Sequence, residues 1–394
     1  MKAKSINGNS TEEISAALTK SMADGFTPTL AIVFISIKQN KEAVCKILQQ
    51  QNIDVIGATS CHEFIDGYQS EGEIVIMLFN INKNNYCILF EVIGERTVAD
   101  AATHLAGNAL QKFTRPSLII CSTSLTKNGA MLDGETLIRS IEKVVGAQAN
   151  MFGGMAGDDM SFTGTFIFTN SQSSDYAIAA LVLNEDKIAM HGVALSGWKP
   201  IGISKSITKS RGNLLYEIDG KPALQVYLRF LGEDFSSADD QLNFFNSVGI
   251  HYPLQIERES RAPMMCNPIG YNKEENALAM ESNIAEGATF RFSTPPDFDI
   301  VETVLNKAKA IRKEYDEDAD AVLIFSCASR LSALGPMAQQ ENDGLAEIWR
   351  GPMAGFYTYG EFGRAVNDKH EFHSTTCSWV ALKERKIKTA ALVG

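Results

Sequence analysis

No apolar run in this 394-residue chain approaches the roughly 18 residues that a membrane-crossing helix needs. The opening MKAKSINGNSTEEISAALTK carries carboxylates where a secretory signal would be apolar, so the expectation is a cytoplasmic protein with no leader and no membrane insertion. The seven cysteines are odd in number and never spaced C-x-x-C, which argues against a disulfide framework or a zinc ribbon and suits a reducing compartment. Basic charge is short as well: 36 Lys and Arg face 47 Asp and Glu, for a net charge of -11. Nucleic-acid phosphates are gripped by clustered Lys and Arg, so nucleic acid is not an expected partner. Several catalytic signatures are missing too. There is no G-x-S-x-G elbow, no His pair at helical i, i+4 spacing, and no Walker Lys-Ser/Thr after the glycines of GGMAGDD (153–159).

What is present is an ordinary soluble composition, 45% hydrophobic and 21% charged, in a chain too long for one typical core. A plan recurs along it. LAIVFIS (30–36) reads as a buried strand, followed by a helix over 41–50 and a second strand, IDVIGATS (53–60). SLIICSTS (117–124), a helix over 135–145 and ANMFGGMAGDD repeat that order, and AVLIFSC (321–327), a helical segment from Glu341 to Trp349 and MAGFYTYGEFG repeat it again. Each time a Gly follows in the second strand, at 57, 153 and 355, and an apolar strand closes the unit: EIVIMLF, AIAALVL and TTCSWVAL. The expected fold is therefore α/β, or mixed α+β, with repeated β-α-β-loop-β units in layered sheets flanked by helices and two tightly packed halves. Whether the units share one sheet or two is open at this point. Parallel units place strand C-termini on one edge, so Ser36, Ser124 and Cys327 are expected to share an edge where ligands bind.

Between the halves, LLYEIDGKPALQVYLRFLG reads as a strand, a turn at Asp219 and Gly220, and a helix with Pro222 near its start and Gly232 past its end. The expected organisation is a helical segment over 1–28, an N-terminal domain over 29–215 and a C-terminal domain over 216–394. EDFSSADD and YDEDAD read as solvated loops, and Gly287 as the turn of a hairpin. His370 and His373 fall in an expected loop.

Polar groups gather at the third unit. Arg330 lies just past one buried strand and Glu361 past the next, so a βαβ crossover would bring them together. Such a pair would offer a bidentate grip for a ligand carboxylate and an acceptor for an ammonium, with Cys327 and Thr376 beside them. The rival reading of the same residues is an enzyme, with Cys327 as a thiolate nucleophile near Arg330, His373 as base, and Glu361 in support.

These residues also carry a resemblance. Cys327, Arg330, Gly335, Glu341, Gly355, Gly360, Glu361, Phe372, His373 and Thr376 follow the motif order of the FIST C-terminal domain, with Ser374 where an Asn is usual. IGATSCHEF and GGMAGDD resemble the FIST N-terminal domain, although Cys61 and His62 replace small residues. The resemblance covers roughly residues 29–382. It implies a cytoplasmic small-molecule sensor in signal transduction that passes its state to a separate partner, such as a histidine kinase of a two-component system or a cyclic-dinucleotide enzyme. Amino-acid-like ligands are implied, at a site that includes Cys327, Arg330, Glu361, His373 and Thr376 together with Gly153, Gly154 and Asp158. Some members of this length resemble nitric-oxide sensors that bind haem, for which His191, His251 and His373 are the candidate ligands here.

Overall fold

A computed structural model describes residues 1–233, 244–245, 247–259, 261–315, 318–365 and 369–385. The polar stretches EDFSSADD and YDEDAD fall largely or partly outside these residues. Three β-rich runs become strands in the same surroundings. Leu30–Ser36, Pro116–Ser122 and Ala321–Cys327 each lie inside a separate sheet, with a parallel neighbour on one side and an antiparallel neighbour on the other. The parallel neighbours are Asp54–Ser60, Met151–Met155 and Met353–Thr358, and the antiparallel ones are Ile74–Asn80, Ala177–Asn184 and Cys377–Glu384. Helices Lys41–Gln50, Gly134–Val145 and Met337–Trp349 make the crossovers. The first two begin where a side chain satisfies a free backbone N–H: Asn40 accepts from Ala43 N at 3.0 Å and Asp133 from Thr136 N at 2.9 Å.

The repeat is longer than its sequence signature. A further strand, Lys2–Gly8, Tyr86–Val92 or Ile188–Leu195, pairs with the closing strand of each unit, and helices Thr11–Met22, Val98–Lys112 and Ile300–Tyr315 come before the central strand. Residues 1–28 thus supply a strand as well as a helix. The three units form three sheets, which answers the question left open by the sequence.

Each unit also sends out a short hairpin that joins a different unit's sheet. Glu63–Ile65 and Tyr68–Ser70 from the first unit extend the third sheet beside Met353–Thr358. Ile167–Thr169 and Ser173–Ser174 from the second extend the first sheet, and Glu361–Arg364 and His370–His373 from the third extend the second. The exchange closes a cycle. His370 and His373, expected in a loop, therefore lie on a paired strand.

At each junction a Phe of the incoming hairpin stands opposite a Gly: Phe64 against Gly355, Phe168 against Gly57, and Phe362 against Gly153. A Cβ at Gly355 would sit 2.2 Å from the Phe64 ring, and one at Gly153 would sit 1.9 Å from Ile120 O. Close strand approach thus accounts for the recurring glycines. The second unit differs from the others by an insertion. Gly57 and Phe64 are seven residues apart, as are Gly355 and Phe362, whereas Gly153 and Phe168 are fifteen apart.

The inner faces of the three sheets meet in one buried cluster that includes Ile32, Phe34, Ile119, Phe152, Leu323 and Phe325. Each outer face is covered by its own helices, with Val33 against Val44 and Leu48, Ile120 among Leu137 and Ile141, and Ile324 among Leu345 and Trp349. Burying each such Leu, Ile or Phe contributes about 1.5–3 kcal/mol, so the central cluster is the principal glue between units.

The third unit alone carries a large insert between Ile188–Leu195 and Ile300–Tyr315. It forms a fourth, antiparallel sheet in the order Met264–Cys266, Leu254–Ile256, Thr289–Thr294, Lys199–Arg211, Leu214–Ile218, Ala277–Met280, Pro268–Asn272. The two end strands are consecutive in the chain and joined at Asn267, so the sheet curls back towards itself. Asp219 and Gly220, at φ +50° and +70°, make the two-residue turn between Ile218 and Lys221, and helix Ala223–Leu231 ends at left-handed Gly232, as the sequence implies. The expected hairpin at Gly287 does not form. Ala277–Met280 pairs with Leu214–Ile218 while Thr289–Thr294 pairs with Lys199–Arg211, because residues 281–288 cross from one side of the sheet to the other.

Candidate functional site

The expected pairing of Arg330 with Glu361 is not what the chain builds. Arg330 is fully buried, and its guanidinium grips Glu341 through two nitrogens, with Nε donating to Oε2 at 3.0 Å and Nη2 to Oε1. Its Nη1 donates to Ser196 O at 2.6 Å. Burial opposes the charge, but the Glu341 carboxylate outweighs it and holds Arg330 above its usual range. Arg330 therefore ties helix Met337–Trp349 to the start of the insert and has no fork left for a ligand carboxylate. The reason is the hairpin exchange. Past Thr358 the chain leaves the third sheet, and Glu361 pairs with Gly154 in the second.

Glu361 is buried among hydroxyls instead. Thr358 Oγ1 donates to its Oε1 at 2.5 Å, and Thr376 Oγ1 and N donate to Oε2 at 2.7 and 3.2 Å. Burial raises its carboxyl to about 8, in spite of these bonds.

The nucleophile arrangement is likewise not assembled. Burial pushes the Cys327 thiol well above its usual range, and the Glu361 charge pushes it further in the same direction. Its Sγ lies 3.0 Å from Ser329 Oγ, while His373 Nε2 is engaged by Gly363 O at 3.2 Å and burial lowers that ring to about 4. Among the described residues no hydrogen bond joins any two of Cys327, His373 and Glu361.

Cys327 nonetheless opens on a largely apolar space. A cavity of about 110 Å³ lies where the second unit, the third unit and the insert meet. The second unit provides Ser124, Leu125, Met131, Leu132, Met155, Met160 and Phe162; the third provides Cys327, Ala328, Ser329, Thr358, Tyr359 and Phe372; the insert provides Ile250, Asn267, Ile269 and Glu281. Ser124, two residues past strand Pro116–Ser122, and Cys327, the last residue of Ala321–Cys327, do share this cavity, but Ser36 does not. It donates to Asp159 at 2.6 Å.

Asp158 shapes one wall from behind. Its carboxylate accepts from the backbone N–H of Phe162, Thr163 and Gly164 at 3.1, 2.6 and 3.0 Å and from Tyr359 Oη at 2.5 Å. This folds the second unit's extra loop so that Met160 and Phe162 face the cavity, with Phe162 stacked on Tyr359 at 5.3 Å. Gly153 and Gly154 serve strand packing rather than the cavity wall. His373 and Thr376 line a separate, open hollow shared with Trp198, Gln255 and Arg261.

The polar end of the cavity was not legible in the sequence. Glu281 accepts from Asn267 N at 2.7 Å and from Asn267 Nδ2, which also donates to Ser374 Oγ at 2.8 Å. Burial raises Glu281 to about 7. Asn267 is 3% exposed, and its Oδ1 has no partner among the described residues. The only local signal was a Glu closing the alternating run Ala277–Met280.

The haem candidates lie in three different places. His191 borders an open hollow of about 560 Å³ whose walls carry Lys307, Glu314, Asp318, Arg364, Lys383 and Arg385, and burial lowers its ring to about 4. His251 Nε2 lies 3.4 Å from Ser332 Oγ, and the His373 ring bonds Gly363 O. A porphyrin needs a deep apolar slot with an imidazole at its face. The charged hollow at His191 is not such a slot, the apolar cavity holds no His, and the His373 ring beside its open hollow is turned to Gly363 O. Among the described residues no His, Cys, Asp and Glu cluster is placed to hold a metal ion.

Comparison with known proteins places this architecture. The family model for the FIST N domain matches residues 29–221, and that for the FIST C domain matches residues 223–364. The chain belongs to the FIST family. FIST domains are sensory and bind small ligands in signal transduction. Relatives of this FIST protein include an uncharacterized protein of Methanocaldococcus jannaschii, 28% identical over 46% of this chain and 35% of its own length. Uncharacterized proteins of Mycobacterium bovis and Mycobacterium tuberculosis are each 26% identical over 48% of this chain and 50% of their own. The chain thus spans a third to a half of the length of these relatives. No helix among the described residues is long and apolar enough to cross a membrane.

Proposed function

We propose that this FIST protein is a small-molecule sensor whose ligand occupies the cavity between the second unit, the third unit and the insert. Its state passes to a separate signalling protein in the cytoplasm, such as a histidine kinase or a cyclic-dinucleotide enzyme. One observation carries the reading: the walls come from three separately packed parts of the chain, so a ligand touching all of them stabilises one relative placement of those parts over another. Apolar walls with a few convergent polar groups are the usual make-up of a ligand site. At about 110 Å³ the space is below the roughly 150 Å³ of an apolar cavity that admits benzene, which limits the ligand to a few non-hydrogen atoms.

Cavity filling tests this. Met131 and Ile269 line the cavity and are only partly buried, so Met131→Trp and Ile269→Trp are expected to fold with little change in melting temperature. In a thermal-shift screen of small polar-headed compounds, wild type is expected to be stabilised by at least one, and both variants to lose that response. A response that survives in both variants would place the ligand elsewhere.

A further inference from the structure

The charges around the cavity select among ligands, an inference that rests on the sensor site proposed above. Its polar end presents one carboxylate, Glu281, beside Asn267, whose enclosed Oδ1 has no partner among the described residues. Glu361 lies one residue-layer behind, bonded to the lining Thr358, and adds a second acid. Among the described residues no Lys, Arg or His lines the cavity, and Arg330, the cation expected at the site from the sequence, is engaged by Glu341 and Ser196. A ligand carboxylate would therefore enter beside like charge with no partner, whereas an ammonium would meet the Glu281 carboxylate.

We infer that the ligand is a small primary amine with a short apolar tail and no carboxylate. Its ammonium sits against the Glu281 carboxylate, and its tail lies among Met131, Met155, Ile269 and Phe372. The volume sets the size: about 110 Å³ is less than the roughly 150 Å³ of a cavity that admits benzene, so a tail as short as that of propylamine suits it. This departs from the amino-acid-like ligands that the family resemblance implies, because a cation for the carboxylate is what the cavity lacks.

The test is calorimetric titration of the full chain with n-propylamine, propionate, 1-propanol and L-alanine at about pH 8, where the amine is charged and Glu281 is largely ionised. The expected order is saturable 1:1 binding of propylamine, weaker binding of propanol and none of propionate or alanine. Glu281→Gln, with its melting temperature checked, is expected to weaken the amine on the order of tenfold or more. Met131→Lys, at a partly exposed position, is expected to abolish amine binding and admit propionate. If propionate or alanine binds wild type as tightly as propylamine and Met131→Trp removes that binding, the cavity is the site but the amine assignment falls. If propylamine does not bind, or binds Met131→Trp or Glu281→Gln unchanged, the assignment is overturned.

Discussion

Residues 1–215 and 216–394, expressed separately, are expected to give two fragments that neither stay soluble nor melt cooperatively, and to recover a folded complex when co-expressed. The reason is the cyclic exchange of hairpins. The third sheet takes Ile188–Leu195, Glu63–Ile65 and Tyr68–Ser70 from the first fragment, and the second sheet takes Glu361–Arg364 and His370–His373 from the second fragment. Each fragment alone would leave sheet edges and the apolar inner face of at least one sheet open, a state that favours edge-to-edge aggregation. The central cluster joins Ile32, Phe34 and Ile119 to Leu323, Phe325 and Phe356, so cutting the chain at 215 removes one wall of the core. Circular dichroism and light scattering on each fragment check the first part, and co-purification checks the second. Two independently folded fragments would contradict the exchange.

Arg330→Ala is expected to cost about 3–5 kcal/mol of stability, the usual penalty for removing one partner of a buried ion pair, and Glu341→Ala a similar amount. Both side chains are at most 3% exposed, so the survivor would be left charged in an apolar surround. The double variant Arg330→Met, Glu341→Leu is expected to recover most of the loss, because an apolar pair of similar volume removes both desolvation costs together. Urea denaturation of the four proteins reads the loss and its recovery. If Arg330→Ala melts like wild type, the guanidinium is not the clamp between helix Met337–Trp349 and the insert.

The contrast between these residues shows where sequence reasoning reaches and where it stops. Strand Leu30–Ser36 and helix Lys41–Gln50 can be read to the residue, because an apolar β-branched run and an Asn cap are local signals. The three recurring glycines could be counted but not explained, since the Phe that each faces arrives from another unit. Likewise, sequence spacing pairs Arg330 with Glu361, and only the departure of the 361–373 hairpin into the second sheet reveals Glu341 as the partner. The cavity was half legible. Cys327 stood out at the end of its strand, whereas Asn267 and Glu281 lie just past the ends of short strands of the insert, whose period carries no hint of what they face.

Hydrogen exchange with and without a saturating ligand tests the central claim most directly, because it reports every wall of the cavity in one experiment. Added protection is expected in 124–132, 155–162, 266–281 and 327–329 together, from all three parts of the chain that meet there. Protection confined to the charged hollow around 189–193 and 381–385, with the cavity segments unchanged, would contradict it.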